Sequence, residues 1–331
     1  MELLEHIKCF LRQNKFYVTH CQTPVNNCRY WCRGIKYYIK SYYYHLDKKI
    51  TGNTVFFIID PNISHPGLAD RFKAIIGSYY IALQNGFDFK IIFNHPFELH
   101  HYLSCAGNKN WIASLGDLSY SLKNSRIIAY NGGGKIPKLN KRIKQYHIYS
   151  YIGYDILYTN KINDHNKLWG ILFKQLFKPA PVLSEALKAL NLKENEYISV
   201  HLRFINALEQ VEENQFNYLI DSEKEQLIQN CLIGIRNIIS EYPGKSILVF
   251  SDSNTFLKHV KRELPVVVLD GEVGHISFKN SEDIVLKTFV DFYVMSKSFK
   301  IIRILNKNTY ATAFSYHAAL AGGKECIDYQ I

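Results

Sequence analysis

The chain has 331 residues, of which 47% are hydrophobic and 21% are charged. This length exceeds the roughly 250–300 residues at which one hydrophobic core stops growing, so we expect two domains. The composition excludes a disordered or fibrous protein. The formal net charge of +11 describes which partners the chain attracts and carries no information about its fold.

Residues 1–50 form a basic, tyrosine-rich segment with nine Lys or Arg and three Asp or Glu side chains. Basic and aromatic residues interleaved in this way suit stacking on single-stranded bases, contact with an anionic membrane surface, or a solvated helix that covers a domain. Between the two binding interpretations we favour peripheral membrane contact, and we expect no nucleic-acid partner.

The sequence predicts neither a membrane span nor a secretion signal. No apolar run approaches the roughly 20 residues of a spanning helix, and Glu2, Glu5 and Lys8 interrupt the beginning of the chain. We therefore expect a cytoplasmic protein, and we leave open whether it lies at the inner face of the membrane.

The seven cysteines are expected to be reduced thiols, since a chain of this size needs no disulfides to fold. Cys21, Cys28 and Cys32 invite the hypothesis of a zinc site. Their spacing lacks the Cys-x-x-Cys pair that is typical of closed tetrahedral sites, so we predict no metal.

The first predicted domain spans residues 51–180. Val55–Asp60 is a continuous apolar run, typical of a buried parallel strand. HPGLADR follows, then a helix that ends at Gly86, and FDFKIIF supplies the next strand of a βαβ unit. Two further strands are predicted at SRIIAY and YDILYT, with a helix around KLWGILFKQLF.

The second predicted domain spans residues 181–331. Ser184 is the predicted N-cap of its first helix. Strands are predicted at YISVHLRF, SILVFS, PVVVL and KIIRIL, and helices at Glu223–Ser240, NTFLKHVKREL, EDIVLKTFVDFYVMSKS and YATAFSYHAALAGG. Strands separated by helices of this length predict an α/β fold with parallel sheets.

Parallel sheets bind ligands beyond the carboxyl ends of their strands, so five strand exits are candidate sites: HPGLADR, NGGGK, HLRF, FSDSN and TAFSYH. NGGGK lacks the spacing of a phosphate loop and precedes Pro137, so we interpret it as a turn or a lid. Gly67 in HPGLADR either lets a ligand approach the backbone or makes a tight turn, and Arg71 offers a further cation one helical turn later.

The other exits carry polar side chains with two interpretations each. Arg203 follows a buried strand, where its guanidinium suits a phosphate and a salt bridge equally well. Asp252 has the position of a helix cap. Thr312 and Ser315 open a helix whose N-terminus attracts anions, although capping alone would also explain them.

Taken together and in this order, these segments resemble the fucosyltransferase superfamily of GT-B architecture, which includes bacterial α1,2-, nodulation and core α1,6-fucosyltransferases. HPGLADRF resembles its glycine motif, SVHLRF its HxRRGD-type motif and VFSDSN its FSDD-type exit. DFYVMSKSFKIIRI and TAFSYHAA resemble its DLxLMS and SSFSWWAA run. The resemblance implies two Rossmann-like domains with parallel sheets that face a central cleft, the first on the acceptor side and the second binding a nucleotide sugar.

The resemblance also implies roles for individual residues. GDP-fucose is the implied donor, with His201 on its guanine side, Arg203 at its β-phosphate and Asp291 at the guanine edge. The remaining implied donor-binding residues are Asp252, Thr312 and Ser315, with Gly67 and Arg71 on the opposite wall. Glu209 is the predicted general base, chosen from a region that also holds Glu212 and Glu213.

The chain departs from the motif directly after Arg203. Phe204, Ile205 and Asn206 stand where the family has a second Arg followed by Gly-Asp. Either one cation suffices or another side chain compensates, and this departure leaves the donor open.

The predicted function is metal-independent, inverting transfer of fucose from GDP-fucose to a glycan acceptor in surface polysaccharide or glycoconjugate synthesis. The donor is a substrate and no cofactor is expected. Whether the acceptor is lipid-linked stays open. The alternatives are use of another nucleotide sugar, an inactive protein of the same fold, and a basic nucleic-acid-binding protein.

Overall fold

The computed structural model describes residues 41–45, 49–59, 67–107, 110–128, 136–149, 156–209, 219–274 and 281–331. Several predictions concern residues outside these ranges. These predictions concern the basic residues 1–40 and the cysteines among them, His65, the NGGGK segment, Glu212 and Glu213.

The first sheet contains four parallel strands in the order β2-β1-β5-β4. They are β1 (Thr54–Ile58), β2 (Asp88–Ile92), β4 (Ser125–Ile128) and β5 (Gln145–Tyr149). Helix α1 (Leu68–Asn85) connects β1 to β2 and ends at Gly86, whose φ of 68° is the left-handed conformation that glycine adopts at low cost. The predicted βαβ unit is confirmed.

A second group of elements lies outside the first sheet, partly between β2 and β4 in the chain and partly after β5. It contains α2 (Leu99–Tyr102), β3 (Leu103–Cys105), a 3₁₀ turn (Leu115–Asp117), α3 (Ile156–Thr159), α4 (His165–Leu176), β6 (Phe177–Pro179) and α5 (Pro181–Ala189). Strands β3 and β6 pair antiparallel.

Two predictions in this part of the chain are wrong. The end of YDILYT is helix α3, because a short apolar run does not reveal its period. Ser184 is not an N-cap: α5 begins at Pro181, whose fixed φ suits the first helical position, and the Ser184 N–H already donates to the Ala180 carbonyl at 2.8 Å.

The second sheet is also parallel, in the order β10-β9-β7-β8. Its strands are β7 (Tyr197–Leu202), β8 (Ser246–Ser251), β9 (Lys300–Leu305) and β10 (Glu325–Gln330). PVVVL is wrong as a full strand, since only Val267 pairs with the sheet, through a bridge to Leu248. The prediction also missed β10, an edge strand whose side chains are half-buried or exposed and follow no apolar run.

The helices of the second half are α6 (Asp221–Glu241), α7 (Asn254–Glu263), α8 (Glu282–Lys297) and α9 (Ala313–Gly322). Together with the two parallel sheets they confirm the predicted α/β class. No helix within the described ranges combines the length and apolar character needed to cross a bilayer.

One hydrophobic core joins the two halves of the chain. It contains Phe57 from β1, Trp169 from α4, Phe292 from α8 and Ala318 from α9. Helices α4 and α9 approach closely at Gly170, where a methyl group would lie far inside the contact distance of the Leu320 carbonyl. This packing holds α9 against elements of the first half.

Candidate active site

The loop after β7 is pinned by the carboxylate of Asp252. The Phe204 N–H donates to one carboxylate oxygen at 2.8 Å and the Ile205 N–H to the other at 2.9 Å. The Phe204 ring is fully buried, 4.9 Å from the Phe256 ring. The position of the family's second Arg is therefore occupied by a core side chain, and no cation stands there.

Ile205 adopts a left-handed conformation with φ 57°. A β-branched side chain is strained there, whereas Gly is not, and Gly is the residue that the HxRRGD-type motif has at this position. The two hydrogen bonds to Asp252 hold the loop in this shape. The backbone at Ile205 therefore has a conformation that a glycine would adopt without strain, although the side chain there is isoleucine.

Asp252 does not cap helix α7, contrary to one of its two interpretations. The N-cap is Ser253, whose hydroxyl accepts from the Phe256 N–H at 3.0 Å. Arg203 lies with Nη1 3.9 Å from the Asp252 carboxylate, so the predicted salt bridge is present at long range. Burial raises the pKa of Asp252 above its usual value, and Arg203 and the N–H groups of Phe204 and Ile205 oppose this.

His201 is buried and neutral. Burial, with contributions from the positive charges of Arg203 and Arg303, lowers its pKa to about 3. Its Nδ1 has no hydrogen-bond partner among the described residues, nor does the hydroxyl of Ser199, two residues earlier on the same face of β7. Buried polar atoms without partners are rare, and they mark places where a ligand or water completes the hydrogen bonding.

The N-terminus of α9 lies beside His201. Thr312 is the N-cap, with its hydroxyl accepting from the Phe314 N–H at 3.1 Å, and the Phe314 ring is 6.1 Å from that of His201. Ser315 is fully buried, and its Oγ has no partner in the described part of the chain. Capping thus accounts for Thr312 and leaves the hydroxyl of Ser315 unexplained.

Asp291 forms a buried ion pair within α8. Lys287 Nζ lies 2.6 Å and 2.8 Å from its two carboxylate oxygens. Burial raises the pKa of Asp291, and the charge of Lys287 opposes this shift. The stem of Lys287 packs under Gly271, whose φ of 108° favours glycine. A guanine base bound at Asp291 would therefore contact the Lys287–Asp291 ion pair and not an isolated carboxylate.

Glu209 lies near the first turn of α7, where its carboxylate accepts from the Thr255 N–H at 3.3 Å and from the Thr255 hydroxyl at 3.0 Å. It is therefore on the same side of the second sheet as Asp252. Its role as a base stays a prediction.

Gly67 and Arg71 lie at the start of α1, in the other half of the chain. Gly67 has φ −59°, which needs no glycine, so the tight-turn interpretation gains no support. Arg71 is buried, donates to the His95 carbonyl at 3.2 Å and has its guanidinium 5.2 Å from the centre of the Phe93 ring. Burial lowers its pKa to about 10.

The structure thus brings most predicted site residues to the carboxyl end of the second sheet. They are His201, Arg203, Glu209, Asp252, Thr312 and Ser315. The arrangement suits an anion, because Arg203 supplies a charge and the first turn of α9 supplies free N–H groups. In the described ranges, no three His, Cys, Asp or Glu side chains come together to hold a metal ion.

Sequence reasoning missed two charged residues that contact predicted site residues. Lys287 could have been found from its i,i+4 spacing to Asp291 on one helix. Arg303 carries no such signal, because its partners come from other elements: the Asp328 carboxylate and the Thr312 carbonyl.

No protein-family model and no curated protein matches the sequence. Solved structures do match over most of the chain. The structure of fucosyltransferase NodZ from Bradyrhizobium has a TM-score of 0.55 and 12% identity, and the match covers 81% of this chain and 93% of that one. An Arabidopsis thaliana FUT1 mutant in complex with GDP has a TM-score of 0.53 and 11% identity over 92% of this chain and 75% of that one. The chain has the GT-B fold.

NodZ α1,6-fucosyltransferase soaked with GDP-fucose also matches, with a TM-score of 0.52 and 13% identity over 82% of this chain and 93% of that one. The prediction of a GT-B α/β fold is confirmed, and the resemblance to GT-B fucosyltransferases is confirmed at the level of fold. At these identities the likeness concerns the fold, and the activity needs its own argument.

Proposed function

We propose that the chain is a glycosyltransferase that uses GDP-fucose as its donor. The fold is shared with fucosyltransferases whose structures contain GDP or were soaked with GDP-fucose. The observation that carries the proposal is the grouping of Arg203, the N-terminus of α9 and the unpartnered Ser315 hydroxyl at one end of the second sheet.

These groups suit the chemistry of the donor. As the bond between the sugar and GDP breaks, negative charge accumulates on the β-phosphate oxygen. The Arg203 guanidinium and the free N–H groups of α9 would stabilise that charge where it develops. His201, neutral at physiological pH, would accept or donate a hydrogen bond without adding charge.

In this proposal the reaction inverts the sugar carbon without a metal, and Glu209 takes the proton of the acceptor hydroxyl. The carboxylate would exchange its bonds to Thr255 for one to the acceptor. Residues 51–180 form the acceptor-side domain and residues 181–331 the donor domain. The acceptor is a glycan of surface polysaccharide or glycoconjugate synthesis, reached in the cytoplasm with residues 1–50 on an anionic membrane.

A different nucleotide sugar is the second candidate. It is supported by Asp291, both of whose oxygens are bound by Lys287, and by Phe204 in place of the second Arg. A donor with another base would not need a free carboxylate at this position.

Arg203→Ala tests the proposal directly. We expect release of GDP from GDP-fucose, measured with a glycan panel and with water as acceptor, to fall at least about a hundredfold. Arg262→Ala is the matched control, since Arg262 is an exposed arginine on α7 that pairs with Glu263. Turnover by Arg203→Ala at the wild-type rate would rule out the proposed site.

A further inference from the structure

Residues 201–206 contain one arginine, Arg203, where the HxRRGD-type motif has two. Phe204 cannot supply the second cation, because its ring is in the core against Phe256. One guanidinium next to an isolated helix N-terminus is a small counter-charge for a diphosphate, which carries at least two negative charges.

Arg303 lies on β9, where its Cα is the register partner of His201 on β7. Successive side chains of a strand alternate between faces, so Arg303 and His201 occupy the same face of the sheet. The positive charges of Arg203 and Arg303 both lower the pKa of His201. Both arginines therefore lie close enough to this histidine for their charges to act on it.

The guanidinium of Arg303 is fixed by two hydrogen bonds that it donates to different elements. Nε donates to the Asp328 carboxylate on β10 at 2.6 Å, and Nη1 donates to the Thr312 carbonyl at 3.0 Å. It also lies 5.8 Å from the centre of the Tyr316 ring, one turn into α9. These bonds use Nε and Nη1, while the Nη2 group carries two further N–H donors.

We propose that Arg303 provides the second positive charge of the diphosphate site and holds the first turn of α9 in position to bind it. The proposal rests on the proposed donor site. Thr312 is the N-cap of α9, so the hydrogen bond from Arg303 to its carbonyl holds the beginning of the helix in place. The free N–H groups of the first turn follow directly after this residue. The ion pair with Asp328 offsets part of the charge of Arg303, and the remainder adds to the positive end of the helix dipole.

The experiment compares Arg303→Ala and Arg303→Lys with Arg262→Ala by calorimetric titration of GDP, UDP, inorganic pyrophosphate and guanosine. We expect Arg303→Ala to weaken GDP and pyrophosphate about tenfold or more and to leave guanosine within about twofold, because guanosine has no phosphate. Arg303→Lys keeps the charge and should recover part of the loss, and Arg262→Ala should bind as wild type.

The outcomes separate this proposal from the proposed function. If the wild-type chain binds UDP and not GDP, and Arg303→Ala loses that binding, the result supports the role of Arg303 and contradicts GDP-fucose as the donor. If Arg303→Ala binds GDP as the wild type does, the role of Arg303 is contradicted and the proposed function is not. If Arg303→Ala loses guanosine binding as much as GDP binding, Arg303 has a purely structural role, which also contradicts the proposal. A wild-type chain that binds neither nucleotide nor pyrophosphate contradicts both.

Discussion

Ile205 stands where the motif has Gly, and its backbone has the left-handed conformation that Gly adopts at low cost. Its φ of 57° is costly for a β-branched side chain, of the order of 1–3 kcal/mol. Two N–H groups bound to Asp252 and a buried side chain offset this cost. Strain held in this way at a strand exit is typical of functional loops.

Two substitutions at Ile205 measure the strain. Ile205→Ala and Ile205→Gly both remove the buried side chain, but only glycine relieves the left-handed conformation. We expect the glycine variant to be more stable than the alanine variant by about 1 kcal/mol in urea unfolding, the reverse of the usual order. A more stable alanine variant would show that Ile205 is not strained.

Helix α4 of the first half of the chain packs directly against α9, whose N-terminus belongs to the proposed donor site. Their close approach depends on Gly170, which faces the Leu320 carbonyl, while Gly322 faces the Ser296 carbonyl on α8. Backbone atoms cannot move aside as a flexible side chain can. Helix α9 is therefore held by backbone contacts on two sides, and its N-terminus is placed from both halves.

Gly170→Ala should separate α4 from α9, with a loss of about 2 kcal/mol or more in the free energy of unfolding, because overpacking forces backbone shifts. Gly107→Ala is the control, since its methyl group would lie 3.9 Å from the Gln175 carbonyl, an ordinary contact. Equal stabilities of the two variants in urea titration would contradict the close packing.

At the scale of the whole molecule, three buried histidines link stability to pH. Burial lowers the pKa of His147 to about 3, of His201 to about 3 and of His317 to about 4. At these three sites the unfolded chain therefore binds more protons than the folded one below pH 6.5. The contribution of the three neutral histidines to stability is present above pH 6.5 and is lost as the pH falls towards their pKa values in the folded chain.

The acid sensitivity can be assigned to one histidine by substitution. The free energy of unfolding, measured in urea between pH 6.5 and 5, should fall as the pH decreases. Replacing His317 by Gln should reduce this slope by about 1.4 kcal/mol per pH unit, the contribution of one proton. The exposed residue His100 gives the control substitution, His100→Gln. If His317→Gln and His100→Gln give the same slope, His317 does not contribute.

The sequence predicted β1, α1 and the helices of the second half because their apolar periods are regular over many residues. It missed β5, whose Gln145 and His147 are buried in hydrogen bonds: the Tyr42 hydroxyl lies 2.6 Å from His147 Nδ1, and His147 Nε2 lies 3.1 Å from the Gln145 side-chain oxygen. The partner Tyr42 lies 105 positions from His147 in the chain, so no local pattern records that pairing.

The same reason limits what the sequence reveals about the candidate site. The motif order pointed to Arg203 and the start of α9, since each follows a strand. The two partners of Arg303 are recognisable only once β9, β10 and α9 are packed together.

Thermal-shift measurements show whether the second sheet binds a guanine nucleotide sugar without needing a metal. The panel contains GDP-fucose, GDP-mannose, GDP and UDP-sugars, each with and without EDTA. We expect guanine nucleotides to raise the Tm equally in both conditions and UDP-sugars to leave it unchanged. Stabilisation by UDP-sugars alone, or only in the absence of EDTA, would contradict this expectation.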